Sequence, residues 1–248
     1  VIYISGYCVR RLGEINTSLG FFRPLLVLAI FGLLILSQPD LGSTLVIGAL
    51  VIAILFFAGI SFSQFTLLLL LIGILAAVAI YLEPYRYLRF ISFTEPFEYF
   101  RGPGWQLSNA LLGIGRGAWF GVGLGNSLQK NLYLPEPHTD FIFAVIVEEF
   151  GLIGGLIVIL LFAVLIFGII KTSTKALELG KMFQGFLVFG AGILIAIQAA
   201  FNIGVNLGIL PTKGLTLPFI SYGGTSLILF MFLMGIVLRI NFENRTIK

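Results

Sequence analysis

Six long apolar runs, separated by short polar segments, dominate the hydrophobic pattern. They lie near residues 21–36, 43–60, 65–82, 141–170, 183–209 and 217–238. A hydrocarbon core of about 30 Å needs about 20 helical residues, so each run predicts a membrane-crossing helix. The fourth and fifth exceed one crossing and are expected to tilt or protrude. A further apolar stretch, Val1–Tyr7, opens the chain without a methionine. The expectation is therefore a fragment that starts at the end of a preceding helix. The predicted fold class is all-α, a polytopic transmembrane helix bundle forming one domain over 1–248, with a long extracytoplasmic loop at 83–140 inside it.

Composition strengthens this picture. Of the 248 residues, 58% are hydrophobic and 10% charged, with mean hydropathy +1.07, whereas soluble domains carry about 25% charge. The single cysteine, Cys8, excludes an internal disulfide and a cysteine-rich zinc site. With one histidine, His138, metal ligation would fall to carboxylates. Charge-relay hydrolysis would need that same histidine, and there is no Gly-x-Ser-x-Gly elbow. No basic run suits nucleic acid.

Charge also orients the chain. If the runs alternate in direction, Arg10, Arg11, Arg23, Lys171, Lys175, Lys181, Arg239, Arg245 and Lys248 share one face. The opposite short loops hold only Lys213. Positive residues mark the cytoplasmic side, which places the C-terminus inside and the 83–140 loop outside. In that loop, Trp105–Gly125 is apolar and glycine-rich, as an interfacial or re-entrant piece would be. Its Gly121, Gly123 and Gly125 lack the strand a nucleotide-binding turn requires. Glycines four apart, such as Gly117 with Gly121 and Gly151 with Gly155, are read as close packing points.

Polar chemistry enters the fourth run at Asp140, after Pro135 and Pro137, which hold the approach extended. Two readings of Asp140 stand: a helix N-cap, or a functional carboxylate in the company of Glu136, His138 and Thr139. Glu148 and Glu149 follow inside the apolar run, where a carboxylate needs a partner or a wet cavity. In the fifth run Gln198, Asn202 and Asn206 share one stripe, either as interhelical hydrogen-bonding groups or as the wall of a polar cavity. The next turn supplies Lys213, Thr216, Ser221 and Tyr222 at the same membrane level. Lys213 is either an anion-binding cation or a snorkelling one.

Five segments carry a family resemblance: Gln-Pro-Asp-Leu-Gly-Ser-Thr (38–44), Gly-Arg-Gly-Ala-Trp-Phe-Gly-Val-Gly-Leu-Gly-Asn-Ser (115–127) with Gln129-Lys130, Leu-Pro-Glu-Pro-His-Thr-Asp-Phe-Ile-Phe-Ala (134–144), Glu-Glu-Phe-Gly (148–151) and Leu-Pro-Thr-Lys-Gly-Leu-Thr-Leu-Pro-Phe-Ile-Ser-Tyr-Gly-Gly (210–224). In this order they resemble the SEDS family (FtsW/RodA/SpoVE) of bacterial cell-wall synthesis, and Lys213 with Gly-Leu-Thr is closer to its FtsW branch. Pro137 and Val147 depart slightly from the family pattern.

The resemblance implies a ten-helix enzyme of the bacterial inner membrane, of which this chain holds roughly the last six helices and the tail of a fourth. It implies a peptidoglycan glycosyltransferase that polymerises lipid II into a nascent glycan strand during cell division, together with a class B penicillin-binding protein and other divisome membrane proteins. The family's essential aspartate falls on Asp140 and its Thr-Lys-Gly lysine on Lys213. The expected roles are a catalytic base at Asp140 and substrate contacts from Lys213, Arg116, Lys130, Glu136, His138, Thr139, Asn202, Thr216, Ser221 and Tyr222. A divalent cation, Mg2+ or Mn2+, is the one cofactor this chemistry admits, and no metal ligands are assigned. A lipid II flippase or other transporter, expected to carry a broken helix, and a non-enzymatic divisome scaffold are the alternatives.

Overall fold

A computed structural model describes residues 1–38 and 40–246. Pro39 of the first motif and Lys248 of the positive face lie outside them. The described residues form nine α-helices: α1 (Ile2–Arg10), α2 (Ser18–Leu36), α3 (Leu41–Phe57), α4 (Phe62–Tyr81), α5 (Pro84–Thr94), α6 (Trp105–Gly117), α7 (Ile142–Glu178), α8 (Met182–Asn206) and α9 (Gly224–Thr246). Five of them, α2, α4, α7, α8 and α9, are long and apolar enough to cross a membrane. The second apolar run gives α3, whose 17 residues fall just short of that length. The last helix begins seven residues later than the hydrophobic pattern predicts. Leu217 to Ile220 form a turn, with Ile220 N–H and Ser221 N–H both donating to the Leu217 carbonyl.

The chain divides into two compact units. One comprises Val1–Ala76, Leu165–Ile197 and Met231–Lys248; the other comprises Ala77–Val164 and Gln198–Phe230. In the first, Ile4, Cys8, Ile15, Phe21, Leu50, Ile54, Leu55 and Phe186 form the buried core. Phe57 stacks on Phe189 with ring centroids 3.8 Å apart. Thr17 caps α2 by accepting from Gly20 N–H. Pro24 cannot donate to the Gly20 carbonyl, and the Tyr7 hydroxyl fills that vacancy at 2.6 Å. Asp40 caps α3, accepting from Ser43 N–H at 3.1 Å and its hydroxyl at 2.6 Å, so the polar part of the first motif is a helix start.

The second unit is built around Ala110, Leu134, Phe141, Ala144 and Val205. Here the 83–140 segment is substantially helical, containing α5 and α6. After α6, Gly-rich chain pairs with the backbone of α7: Val122 and Gly123 N–H donate to the carbonyls of Glu148 and Glu149, while Leu152 and Ile153 N–H donate to those of Ala118 and Trp119. α7 is interrupted there by Gly151, at φ 73° and ψ −175°. The approach is possible because the crossing residues lack Cβ. A methyl group on Gly121 would meet the Glu149 carbonyl at 2.1 Å, and one on Gly117 that of Val147 at 2.1 Å. Gly117, Gly121 and Gly151 permit the close backbone approach expected of them, whereas the atoms nearest Gly155 belong to the Val147 and Phe143 side chains of its own helix.

Candidate active site

Every residue singled out from sequence as a candidate falls in the second unit, in two groups. The first surrounds Glu148 and Glu149, buried in α7. Glu148 accepts from Arg116 at 2.8 Å, from Leu128 N–H at 3.1 Å, from Gln129 N–H at 3.4 Å and from the Ser127 hydroxyl. Glu149 accepts from Lys130 and from Ser127 N–H at 3.3 Å. Successive backbone N–H groups after Gly125 thus form a cradle for anions, occupied by the protein's own carboxylates. The expectation that intramembrane acids find partners holds. Arg116 and Lys130, expected to contact substrate, are paired with these glutamates, because the end of α6 and the chain that follows it fold onto α7 two turns beyond Asp140.

The second group surrounds Asp140. The turn leading to it folds about the Glu136 carbonyl, which accepts from Thr139 N–H (3.3 Å) and Phe141 N–H (3.4 Å). Thr139 Oγ1 also donates to the Glu136 carboxylate at 2.9 Å. Glu136, between two prolines, has φ 53°, a left-handed conformation that costs a non-glycine residue on the order of 1 kcal/mol. His138 and Glu136 are exposed, and Thr139 and Asp140 are half-buried.

The 210–223 segment is joined to this turn at three places. The Ser221 hydroxyl donates to the Thr139 carbonyl at 2.6 Å, and Tyr222 N–H donates to the His138 carbonyl at 2.8 Å. Asn202 Nδ2 donates to both the Asp140 carbonyl (2.9 Å) and the Leu215 carbonyl (2.6 Å). Phe219 in this segment has φ 65°. A methyl group on Gly214 would stand 2.9 Å from Asp140 Oδ2. The Asp140 carboxylate therefore lies against the backbone of the residue after Lys213. Thr216 pairs with Ser226, oxygen to oxygen, at 3.3 Å, and the Tyr222 side chain is 80% exposed.

Two expectations change. α7 begins at Ile142, and its Ala144 N–H is taken by Asn206 Oδ1 at 2.9 Å. A side chain from another helix thus supplies the cap, and the capping role considered for Asp140 falls away. Asn202, expected to contact substrate, is 1% exposed and holds two carbonyls together; the hydrogen-bonding account of the α8 amides is the correct one for Asn202 and Asn206. Sequence reasoning missed Arg89, in α5, whose charge acts on Asp140. Its guanidinium lies 5.0 Å from the centre of the Tyr85 ring. It also missed Gly214, and only the adjacency to Lys213 pointed there.

Burial lifts the Asp140 carboxyl above its ordinary value of 3.8. The nearby Glu136 charge acts in the same direction and Arg89 opposes both. A raised pKa makes the ionised carboxylate a stronger base toward a substrate hydroxyl. Among the described residues no three of His, Cys, Asp and Glu converge as metal ligands.

Fold and site together define a polytopic helical membrane protein with a partly buried carboxylate where a helix start meets a polar turn. The chain belongs to the FtsW, RodA and SpoVE family of cell cycle proteins, whose sequence profile matches residues 1–246. Among curated relatives, the probable peptidoglycan glycosyltransferase FtsW of Aliivibrio salmonicida is 48% identical over 245 residues, covering 98% of this chain and 61% of the relative. The protein of the same name from Pseudoalteromonas translucida is 47% identical over 244 residues, with 98% and 61% covered. The chain thus spans about three fifths of the length of the relatives it matches. Among solved structures, a chain from a study of polymerisation and crosslinking by a peptidoglycan synthase complex matches with TM-score 0.76 and 26% identity, over 96% of this chain and 66% of that one. The rod shape determining protein RodA of Thermus thermophilus matches with TM-score 0.62 and 25% identity, over 97% and 64%.

Proposed function

We propose that the protein polymerises lipid II into glycan strands by inverting glycosyl transfer from a polyprenyl pyrophosphate, with Asp140 as general base. The observation that carries the proposal is the Asp140 carboxylate set against Gly214, beside Lys213, at a helix start capped by another residue. The relatives named as peptidoglycan glycosyltransferases support the substrate class.

In the reaction, the acceptor sugar's 4-hydroxyl oxygen attacks the anomeric carbon of the donor as its proton passes to Asp140. The bond from that carbon to the pyrophosphate oxygen breaks, and polyprenyl pyrophosphate leaves with the electron pair. Lys213 and Arg89 are the cations assigned to the developing negative charge. Arg116 and Lys130 act one layer back, by fixing the loop on α7. A Mg2+ or Mn2+ ion would have to arrive on the pyrophosphate, and no step depends on it. His138, Thr139, Ser221, Thr216 and Tyr222 border the sugar-binding side.

The basic residues on one set of loops favour a bacterial inner-membrane protein with a cytoplasmic C-terminus. The solved peptidoglycan synthase complex favours a crosslinking partner, a class B penicillin-binding protein, within the divisome. One observation favours a transporter instead: α7 is broken at Gly151, as in transporters with discontinuous helices. That break, however, is filled by paired backbone from the Ala118–Gly123 segment.

Purified full-length protein, given labelled lipid II with and without the partner, distinguishes the two. Growth of glycan chains supports polymerisation. Movement of lipid II across vesicles without chain growth would overturn it in favour of transport.

A further inference from the structure

The two buried asparagines of α8 form an arrangement that simple helix cementing does not require. In an uninterrupted helix the Ala144 N–H would donate to the carbonyl four residues earlier, that of Asp140. Here the Asn206 amide sits within that bond. Its Oδ1 accepts from Ala144 N–H at 2.9 Å, and its Nδ2 donates to the Asp140 carbonyl at 3.0 Å. Asn202, one turn earlier on α8, donates to the same carbonyl and to that of Leu215. The two side chains are 0% and 1% exposed, and Asn206 Nδ2 also donates to the Asn202 carbonyl at 2.8 Å.

Insertion of a side-chain amide into the helical ladder opens the backbone at that point. Asp140 is thereby kept off the axis of α7. Because Asn202 ties the same carbonyl to Leu215, the aspartate and the Lys213–Leu215 hairpin are set in fixed register. The carboxylate then meets Gly214, where a missing Cβ leaves it room.

We infer that Asn206 and Asn202 are positioning residues for the glycosyl transfer: they hold Asp140 out of helix α7 and against the Lys213–Leu215 hairpin. This rests on the assignment of Asp140 as the base. Removing the Asn206 amide lets the Ala144 N–H close directly on the Asp140 carbonyl. α7 then extends by a partial turn and carries the carboxylate away from Gly214.

The test is steady-state lipid II polymerisation by full-length Asn206→Ala, Asn206→Asp and Asn202→Ala proteins, normalised to folded protein, beside Asp140→Asn. Misplacement of a reacting group by about 1 Å costs on the order of 100-fold. The Ala variants are therefore expected to lose about 10- to 100-fold in kcat, with KM for lipid II within about twofold. Asn206→Asp keeps an acceptor for Ala144 and adds an acid beside Asp140, a group already facing Glu136 and Arg89. Its acid limb is expected at higher pH than in the unsubstituted protein. If Asn206→Ala does not fold, the kcat of Asn202→Ala decides. Unchanged kcat and pH profile in the folded asparagine variants, with Asp140→Asn inactive, would overturn the positioning role alone. An active Asp140→Asn would overturn the base itself.

Discussion

The same stretch of chain holds carboxylates in two different ways. Glu148 and Glu149 are gripped by their oxygens, through Arg116, Lys130, the Ser127 hydroxyl and backbone N–H groups. Asp140, two turns earlier, is gripped by its backbone carbonyl, through Asn202 and Asn206, while its carboxylate lies half-buried against Gly214. Donors aimed at carboxylate oxygens neutralise a charge and fix a structure. Donors aimed at the backbone fix where a carboxylate stands while leaving its chemistry adjustable. The strained Glu136 and Phe219 lie in the two segments that meet at Asp140, where such conformations are expected if position is what matters.

The largest break in this comparison should come from Glu148→Ala. It leaves the Ser127 hydroxyl and two loop N–H groups without their acceptor and Arg116 without its counter-ion. The expected loss is about 3 kcal/mol or more of stability, seen as a lowered unfolding midpoint or no folded protein in detergent. Gly214→Ala is expected to do the reverse. Its new methyl displaces the Asp140 carboxylate, the flexible end of a side chain, so the midpoint changes little while polymerisation falls by about tenfold.

The pH profile sharpens the contrast further. The raised Asp140 pKa means that the folded protein keeps this proton to higher pH than the unfolded chain. The stability it contributes is full below the unfolded value and is lost as pH rises through the folded one. Under the proposed role of Asp140, activity runs the other way, appearing as the carboxylate ionises, so the acid limb of kcat should lie above the ordinary aspartate value of 3.8. A limb at or below that value would count against burial of the base. Smallest of all, Tyr222→Phe removes only an exposed hydroxyl, with an expected change within about 0.5 kcal/mol in stability; a midpoint measurement checks it.

Much of the fold was legible from the apolar runs, since 16- to 30-residue hydrophobic stretches with few charges have one economical structure in lipid. The interior of the 83–140 segment was harder. Its glycines and prolines hid α5 and α6, and the break at Gly151 looks in sequence like any glycine in a membrane helix. The last helix was placed too early because Leu217, Phe219 and Ile220 are as apolar as a span, yet they lie in a turn. At the site, Asp140 and the Lys213 turn stood out as polar groups at the edges of apolar runs. The pairings of Arg116 and Lys130 with glutamates 32 and 19 residues away depend on how the glycine loop folds, which spacing does not encode. Asn202 looked like a substrate group because an amide in an apolar helix reads alike whether it meets a ligand or a carbonyl.

The most direct test of the account compares kcat for lipid II polymerisation, per folded full-length molecule, in Asp140→Asn and Glu149→Gln. The account predicts that Asp140→Asn loses on the order of 10² to 10⁴ in rate with its fold intact, while folded Glu149→Gln stays within about tenfold of the unsubstituted protein. A near-normal rate for Asp140→Asn would contradict it.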